Sequence, residues 1–460
     1  MRASTSRQPS PHVAPIMPMT ETKLHTPGDG PSRSARCTRL APLLGAVMIA
    51  MLAACGDLTK VEAPDLVQPK ALDDSAGAIA RRAGAIAQFA HAFVLQVSQT
   101  GLVSDEFTDA AGAFIVDRRM IAKGNNAYPF QDLSLARIDA LRAISSLEAF
   151  SPSPANRIGE LFALVGFSEV MLVENLCTPI PIASVQRDLP ETPTSVTRDS
   201  LLEHALAMFD SALVHTAPSD TVRYLAQLGR GRALLSLDRL DEAEASVEGV
   251  PSTFHYDVPY TASISTQTNM LYRDLAMRRS LSVGDAEGLS GITFVSGSDA
   301  RIGAQLQGQS SLGQPVYNFA RNTGLGASIP LALGVQAILI RAEAALRRGD
   351  IPQWAAALNE ARASAIAPPI QPLSADSSTE ASGAERIDIL FRERALWLFA
   401  TGQRHGDLRR LVRQYGRDQM SVFPSGPYQG TGILYGSDVT FVPLGEEPNA
   451  GFTGCTDRSA

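Results

Sequence analysis

Residues 228–247 read LGRGRALLSLDRLDEAEASV, and their spacing decides the fold. Apolar residues recur at three and four positions on both sides of the tight turn Asp238-Arg239-Leu240-Asp241, as in two amphipathic helices. The pattern predicts helices over 221–237 and 242–248, the second closed by Gly249 and Pro251. Gly229 and Ala233 are small where the helices must approach, and Ala243 stands at the matching contact. This is the build of a tetratricopeptide helix-turn-helix. A second copy, AILIRAEAALRRGDIPQWAAALNEARA over 337–363, turns at Gly349-Asp350 and faces Ala355 and Ala357 back. Each unit leaves one apolar face open, so neighbours must stack on it.

Further helices follow outward. Residues 76–99 carry Ile79, Ile86, Phe89, Phe93 and Val97 at helical spacing, and 131–150 repeat the pattern. Residues 156–176 form another helix, stopped by Cys-Thr-Pro-Ile-Pro, and 199–215 one more. The expected fold is mainly all-α: tetratricopeptide-like repeats over 71–250 and 331–365. A long irregular insertion, 251–330, interrupts them. It is rich in Gly, Ser and Thr, with strand-like fragments GITFVSG (291–297) and PVYNFA (315–320). Its aromatics argue against disorder. A loop over 368–384 and a C-terminal block, 385–460, irregular from 416 onward, complete the domain.

At the other end, 40–55 (LAPLLGAVMIAMLAAC) follow Arg33, Arg36 and Arg39 and close on a cysteine. A positive stretch, an apolar core and small residues are the order of a signal peptide. At 16 residues the run is shorter than the roughly 20 needed to span a bilayer. It looks like a bacterial lipoprotein signal. Residues 1–54 would then be leader, Cys55 the lipidated first residue, and 55–70 a tether reaching at most about 50 Å at ~3.3 Å per residue.

The chain has 47 acidic against 40 basic side chains, and 45% of it is hydrophobic. Loss of the leader, with six Lys/Arg and two acids, makes it more acidic still. That balance disfavours nucleic acid and anionic lipid headgroups. Beyond Cys55, Cys177 and Cys455 remain; they either pair or stay as two buried thiols. The seven histidines are scattered, and no P-loop, HExxH, GxSxG or dinucleotide fingerprint occurs. Neither a metal, a cofactor nor an enzyme activity is expected. Trp354 and Trp397 sit among helical apolar residues and read as core. Asp407 lies three residues from both Arg404 and Arg410, at ion-pair spacing, so 404–410 read as scaffold rather than an anion site.

The block 393–410, ERALWLFATGQRHGDLRR, resembles the C-terminal signature of the SusD/RagB family of outer-membrane nutrient-binding lipoproteins. Glu393, Arg394, Leu398, Gly402, Arg404, Asp407, Leu408, Arg409 and Arg410 fit; Trp397 and Thr401 replace two family glutamates. Ser104-Asp105-Glu106, GFSEVMLVENLCTPIPIA (166–183), IRAEAALRRGD (340–350) and Pro443 with Glu446-Glu447 and Asn449 also match, in the family's order. The resemblance implies a surface-exposed lipoprotein of the cell outer membrane that caps a SusC-like TonB-dependent transporter. It would capture a small nutrient, most often an oligosaccharide, for import. A tetratricopeptide lipoprotein scaffolding envelope assembly is the alternative, but it would not need the aromatic-bearing insertion.

A sugar offers an apolar face and a ring of hydroxyls, so its site needs exposed aromatic rings beside amides or carboxylates. The loop GNNAYPF (124–130), with Asn125, Asn126 and Tyr128, is the best local candidate. Tyr256, Tyr260 and Tyr317 of the insertion are the others.

Overall fold

The computed structural model describes residues 72–460 apart from 113–114, 122–127, 184, 187–188, 191–192, 365–369, 375–379, 430 and 444–453. Cys55, the leader and the tether lie outside the described residues. Helices α1 (Ser75–Val103), α2 (Tyr128–Phe150), α3 (Asn156–Asn175), α4 (Arg198–Val214), α5 (Thr221–Ser236) and α6 (Leu240–Ser246) pack each on the next. The insertion then leaves the array, with one short helix, α7 (Met270–Tyr272). The chain returns as α8 (Val335–Arg348), which packs on α5 and α6, and α9 (Ile351–Arg362) folds back on it. After these, α10 (Gly383–Trp397) lies against α8, α11 (Arg404–Tyr415) against α1 and α3, and α12 (Gln419–Val422) against α11.

Local chemistry sets these boundaries. Asp74, Thr197, Asp220 and Asp350 each accept a backbone N–H in the first turn of their helices. Ser382 and Glu385 form a reciprocal capping box on α10. Gly349, at φ +77°, ends α8 in the left-handed region that glycine reaches without strain. Within α5 a Cβ on Gly231 would lie 2.9 Å from Val247 and 3.1 Å from Ile340, so this face must stay small to meet α6 and α8 together. Ala233, Ala243 and Trp354 are fully buried, as their spacing predicts. No helix among the described residues is long and apolar enough to cross a membrane.

The strands are short antiparallel pairs. They are β1 (Phe107–Asp109), β2 (Ile180–Ile182), β3 (Val185–Gln186), β4 (Leu189–Pro190), β5 (Thr194–Val196), β6 (His255–Val258), β7 (Leu281–Val283), β8 (Gln305–Gln309), β9 (Pro315–Asn318) and β10 (Ile329–Leu333). β1 pairs with β7, β2 with β5, β3 with β4, β6 with β10 and β8 with β9. The fragment at 315–320 therefore forms a strand as expected, but 291–297 does not; it is a run of turns. Its amides are captured by carboxylates instead of a ladder. Ile292 N–H donates to Asp105 (2.9 Å), and Val295 and Ser296 N–H both donate to Asp285 Oδ1 (3.1 and 3.0 Å).

Cys177, just after α3, is disulfide-bonded to Cys455 with Cα atoms 5.8 Å apart, and Thr178 N–H donates to the Asp457 carbonyl beside it (3.0 Å). The tail is thus fastened to the end of α3.

The α10–α11 block is buried scaffold, with partners that helical spacing does not supply. Asp407 accepts both donors of Arg394 at 2.8 Å and Arg410 at 3.2 Å. Arg404, expected beside Asp407, instead clasps Asp105 after α1 at 2.7 and 2.9 Å, because buried α11 meets neighbours across its packing. Arg409, by contrast, pairs with no carboxylate among the described residues; its Nη1 donates to the carbonyls of Val173 and Glu174 (2.9 and 2.7 Å), capping the last turn of α3. Glu343 of α8 accepts from Arg410 and Tyr415, and Glu393 from Arg301 and Arg362. Burial pushes Asp407 up, yet the Arg394 and Arg410 guanidiniums hold it below the usual carboxylate range. Trp397 is buried under the Arg301 guanidinium, 5.1 Å from its ring centre.

Candidate functional site

Four buried phenylalanines cluster in the core next to a polar cleft and fix the segments that line it. Phe399, at the end of α10, packs on Phe107 (5.6 Å), Phe294 (5.0 Å) and Phe319 (5.3 Å). Each of those three rings is buried, and each has sequence neighbours in the wall of a cleft of about 480 Å³. Thr108 and Asp109 follow Phe107, Val295 and Ser296 follow Phe294, and Tyr317 precedes Phe319 by two. The hydrophobic effect that buries the phenylalanines therefore sets the polar groups above them. Ser282 ties β7 to β9 by accepting the Tyr317 N–H at 3.0 Å.

Alternation along β9 turns Pro315 and Tyr317 to the cleft side and buries Val316 and Asn318. Tyr317 is half-buried, and its hydroxyl has no hydrogen-bond partner among the described residues. The Gln314 side-chain amide beside it is also unengaged there, and Asp285 uses only Oδ1, leaving Oδ2. Gln429, exposed on the opposite lip, reaches Asp117 at 3.2 Å. Three carboxylates (Asp109, Asp285, Glu287) and no basic side chain line the cleft among the described residues.

Beneath it the acids are held by phenols. Tyr428 donates to Asp117 at 2.7 Å and Tyr435 to Glu287 at 2.8 Å, their rings edge-on at 5.2 Å. Burial, then the Glu287 charge, raises Asp117 well above the carboxylate range; burial likewise raises Glu287 against the Tyr435 hydrogen bond. A further anion here would meet carboxyl groups and no basic side chain in the lining among the described residues. A neutral polyol would meet a half-open ring, two amides and a carboxylate oxygen, with room for one or two pyranose rings at the scale of small-molecule sites.

Of the tyrosines read from the insertion, only Tyr317 lines this cleft. Tyr256 and Tyr260 pack against the core elsewhere, and their phenols are engaged within the protein. Tyr256 donates to Glu160 of α3 at 2.8 Å and Tyr260 to the Ala90 carbonyl of α1 at 2.9 Å. Burial raises both phenols well above their usual pKa. Asn125 and Asn126 lie outside the described residues; Tyr128 opens α2, with its side chain also outside them. Asp109, Asp285, Glu287, Gln314 and Gln429 were not singled out by sequence. They come from four separate segments, and the period-two pattern of β9 reports only Pro315 and Tyr317.

No family model matches the chain, and no curated protein is similar to it in sequence. Solved structures are. A SusD-like carbohydrate-binding protein from Bacteroides vulgatus is 14% identical, with a TM-score of 0.56 over 73% of this chain and 83% of that one. A SusD superfamily protein from Bacteroides thetaiotaomicron is 14% identical, with a TM-score of 0.59 over 82% and 98%. A laminarin-binding SusD-like protein is 14% identical, with a TM-score of 0.58 over 83% and 99%. At this identity the likeness establishes the fold. The chain has the SusD-like fold over nearly the whole length of those proteins.

Proposed function

We propose that this chain is a divergent SusD-type protein, lipid-anchored in the outer membrane through Cys55, that binds a neutral oligosaccharide and delivers it to a SusC-like TonB-dependent transporter. One observation carries the ligand: a half-buried tyrosine whose hydroxyl has no partner among the described residues, set among amide and carboxylate groups with unused hydrogen-bonding capacity, in a cleft that no basic side chain of the described residues lines. A sugar ring stacks its C–H face on the phenol while its hydroxyls meet Gln314, Asp285 and Gln429. Nothing in that geometry breaks a bond; the carboxylates are tied to phenols and backbone amides, so binding is reversible capture. The fold likeness supports the reading, since two of those structures are named for binding carbohydrate or laminarin. The lipobox-like 40–55 supports the anchor.

A glycan array on purified protein tests the ligand, with retention of uncharged oligosaccharides expected over uronates or sulfated glycans. Retention of anionic glycans alone would reject the cleft as the site. Co-purification from detergent-solubilised outer membranes tests delivery: a TonB-dependent receptor should accompany the protein, and its consistent absence would remove the transport half of the proposal.

A further inference from the structure

The loop that forms one wall of the Tyr317 cleft has a second cleft on its other side, of opposite charge. This one holds about 510 Å³ between residues 289–293, α10, α11 and the end of α12. Its apolar surface comes from Leu289, Leu408 and Leu411, and three guanidiniums line it: Arg392, Arg404 and Arg417.

Their partners leave donors over. Arg404 is nine-tenths buried and gives Nε and Nη2 to Asp105, but its Nη1 has no hydrogen bond among the described residues. Arg417 uses Nη2 alone, on the Ala384 carbonyl and Asp388 (both 2.7 Å). Arg392 is exposed and makes no hydrogen bond or ion pair among the described residues. The acid whose field reaches it, Asp299, is already bound by Arg301 at 2.9 and 2.8 Å. With Arg404 matched by Asp105 and Arg417 by Asp388, the cleft holds about one spare positive charge. In a chain of net charge −7 this is a local exception.

We propose that this cleft is a second binding site, independent of the glycan reading, for a small monocarboxylate with an apolar body, such as an aryl or short acyl acid. A carboxylate takes two parallel N–H donors from a guanidinium. The leucines cover the rest of the molecule and strengthen that pairing by excluding water. One spare charge, with Asp388 in the wall, suits a monoanion and disfavours a phosphate dianion.

Calorimetry with three probes tests this: benzoate, its neutral isostere benzyl alcohol, and inorganic phosphate. Benzoate should bind saturably, at least about tenfold more tightly than benzyl alcohol, and more weakly as salt is raised. Arg392→Gln, which removes an exposed and unpaired side chain and so leaves the fold intact, should weaken benzoate at least about tenfold, while Tyr317→Ala should not. Equal affinity for benzoate and benzyl alcohol would overturn the proposal, because charge would not be read. Phosphate binding more tightly than benzoate would overturn the apolar half of it. Absence of benzoate binding at millimolar concentration, or binding that Arg392→Gln leaves unchanged, would reject the site.

Discussion

The α10–α11 block and the Tyr317 cleft both concentrate charge, but they partner it differently. In the block Asp105, Asp407, Glu343 and Glu393 each face at least one guanidinium, at full burial. Beneath the cleft Asp117 and Glu287 face phenols, and in its wall exposed Asp285 faces backbone amides. Matched charges in a dry interior hold helices in register and have little left to offer a ligand. Polar groups held by weaker partners at an open surface keep the capacity to bind. Apart from Arg404, which keeps one donor at the second cleft, the arginine-rich signature is thus scaffold, and the acidic cleft is where a neutral ligand finds unsatisfied donors and acceptors.

The largest effect should come from unmatching the block. Glu343→Ala takes from Tyr415 its acceptor and from Arg410 one of its two carboxylates inside the core, and breaking a buried pair from one side costs about 3–5 kcal/mol. The melting temperature should fall sharply. A change under about 1 kcal/mol would show that the block clamps nothing.

Next comes the link between the two regions. The tail that brings Gln429 and Tyr428 to the cleft ends in the Cys177–Cys455 bond beside α3. Replacing both cysteines with alanine should lower stability by about 2–5 kcal/mol, read from urea midpoints. An unchanged midpoint would mean that tail and scaffold hold together without the bond.

The smallest stability effect is a slope. Glu106 is fully buried, with Oε1 accepting the Ala400 N–H at 3.1 Å and Oε2 without a hydrogen bond among the described residues, and burial pushes its pKa up to about 8. The folded protein therefore holds a proton that the unfolded chain has released above about 4.5. This contribution to stability is full below that value and is lost as pH rises toward 8. His405 works in the opposite sense at lower pH. Burial drops it to about 3, so stability falls as pH decreases below its ordinary value of 6.5. Between pH 6.5 and 8 the melting temperature should decline, and Glu106→Gln, which mimics the protonated acid, should flatten that decline. Parallel slopes would show that Glu106 is ionised in the fold.

How much of this could be read in advance follows from the range of each interaction. The α5–α6 and α8–α9 pairs were legible because helical period and turn residues are local; Ala233 is buried as the spacing requires, whereas Gly229 is kept small by Phe167 of α3 and Phe209 of α4, and Gly231, which the spacing did not single out, meets Val247 and Ile340. That 404–410 serve as scaffold was legible too, from like reasons of charge spacing. The partner of Arg404 was not, since Asp105 lies 299 positions away. The insertion resisted for a different reason. A run such as 291–297 has the composition of a strand, but Asp105 and Asp285 take its amides, and no local pattern reports them. Aromatic residues were visible as such, yet only packing distinguishes Tyr260, whose hydroxyl meets the Ala90 carbonyl, from Tyr317, whose hydroxyl has no partner among the described residues.

The central claim is that the cleft beside Tyr317 holds a neutral sugar, and calorimetry on Tyr317→Ala against the best oligosaccharide from the array tests it most directly. Removing a half-exposed side chain should leave the melting temperature nearly unchanged while weakening binding at least about tenfold, or ~1.4 kcal/mol. Wild-type affinity in the folded variant would place the sugar elsewhere and contradict the account.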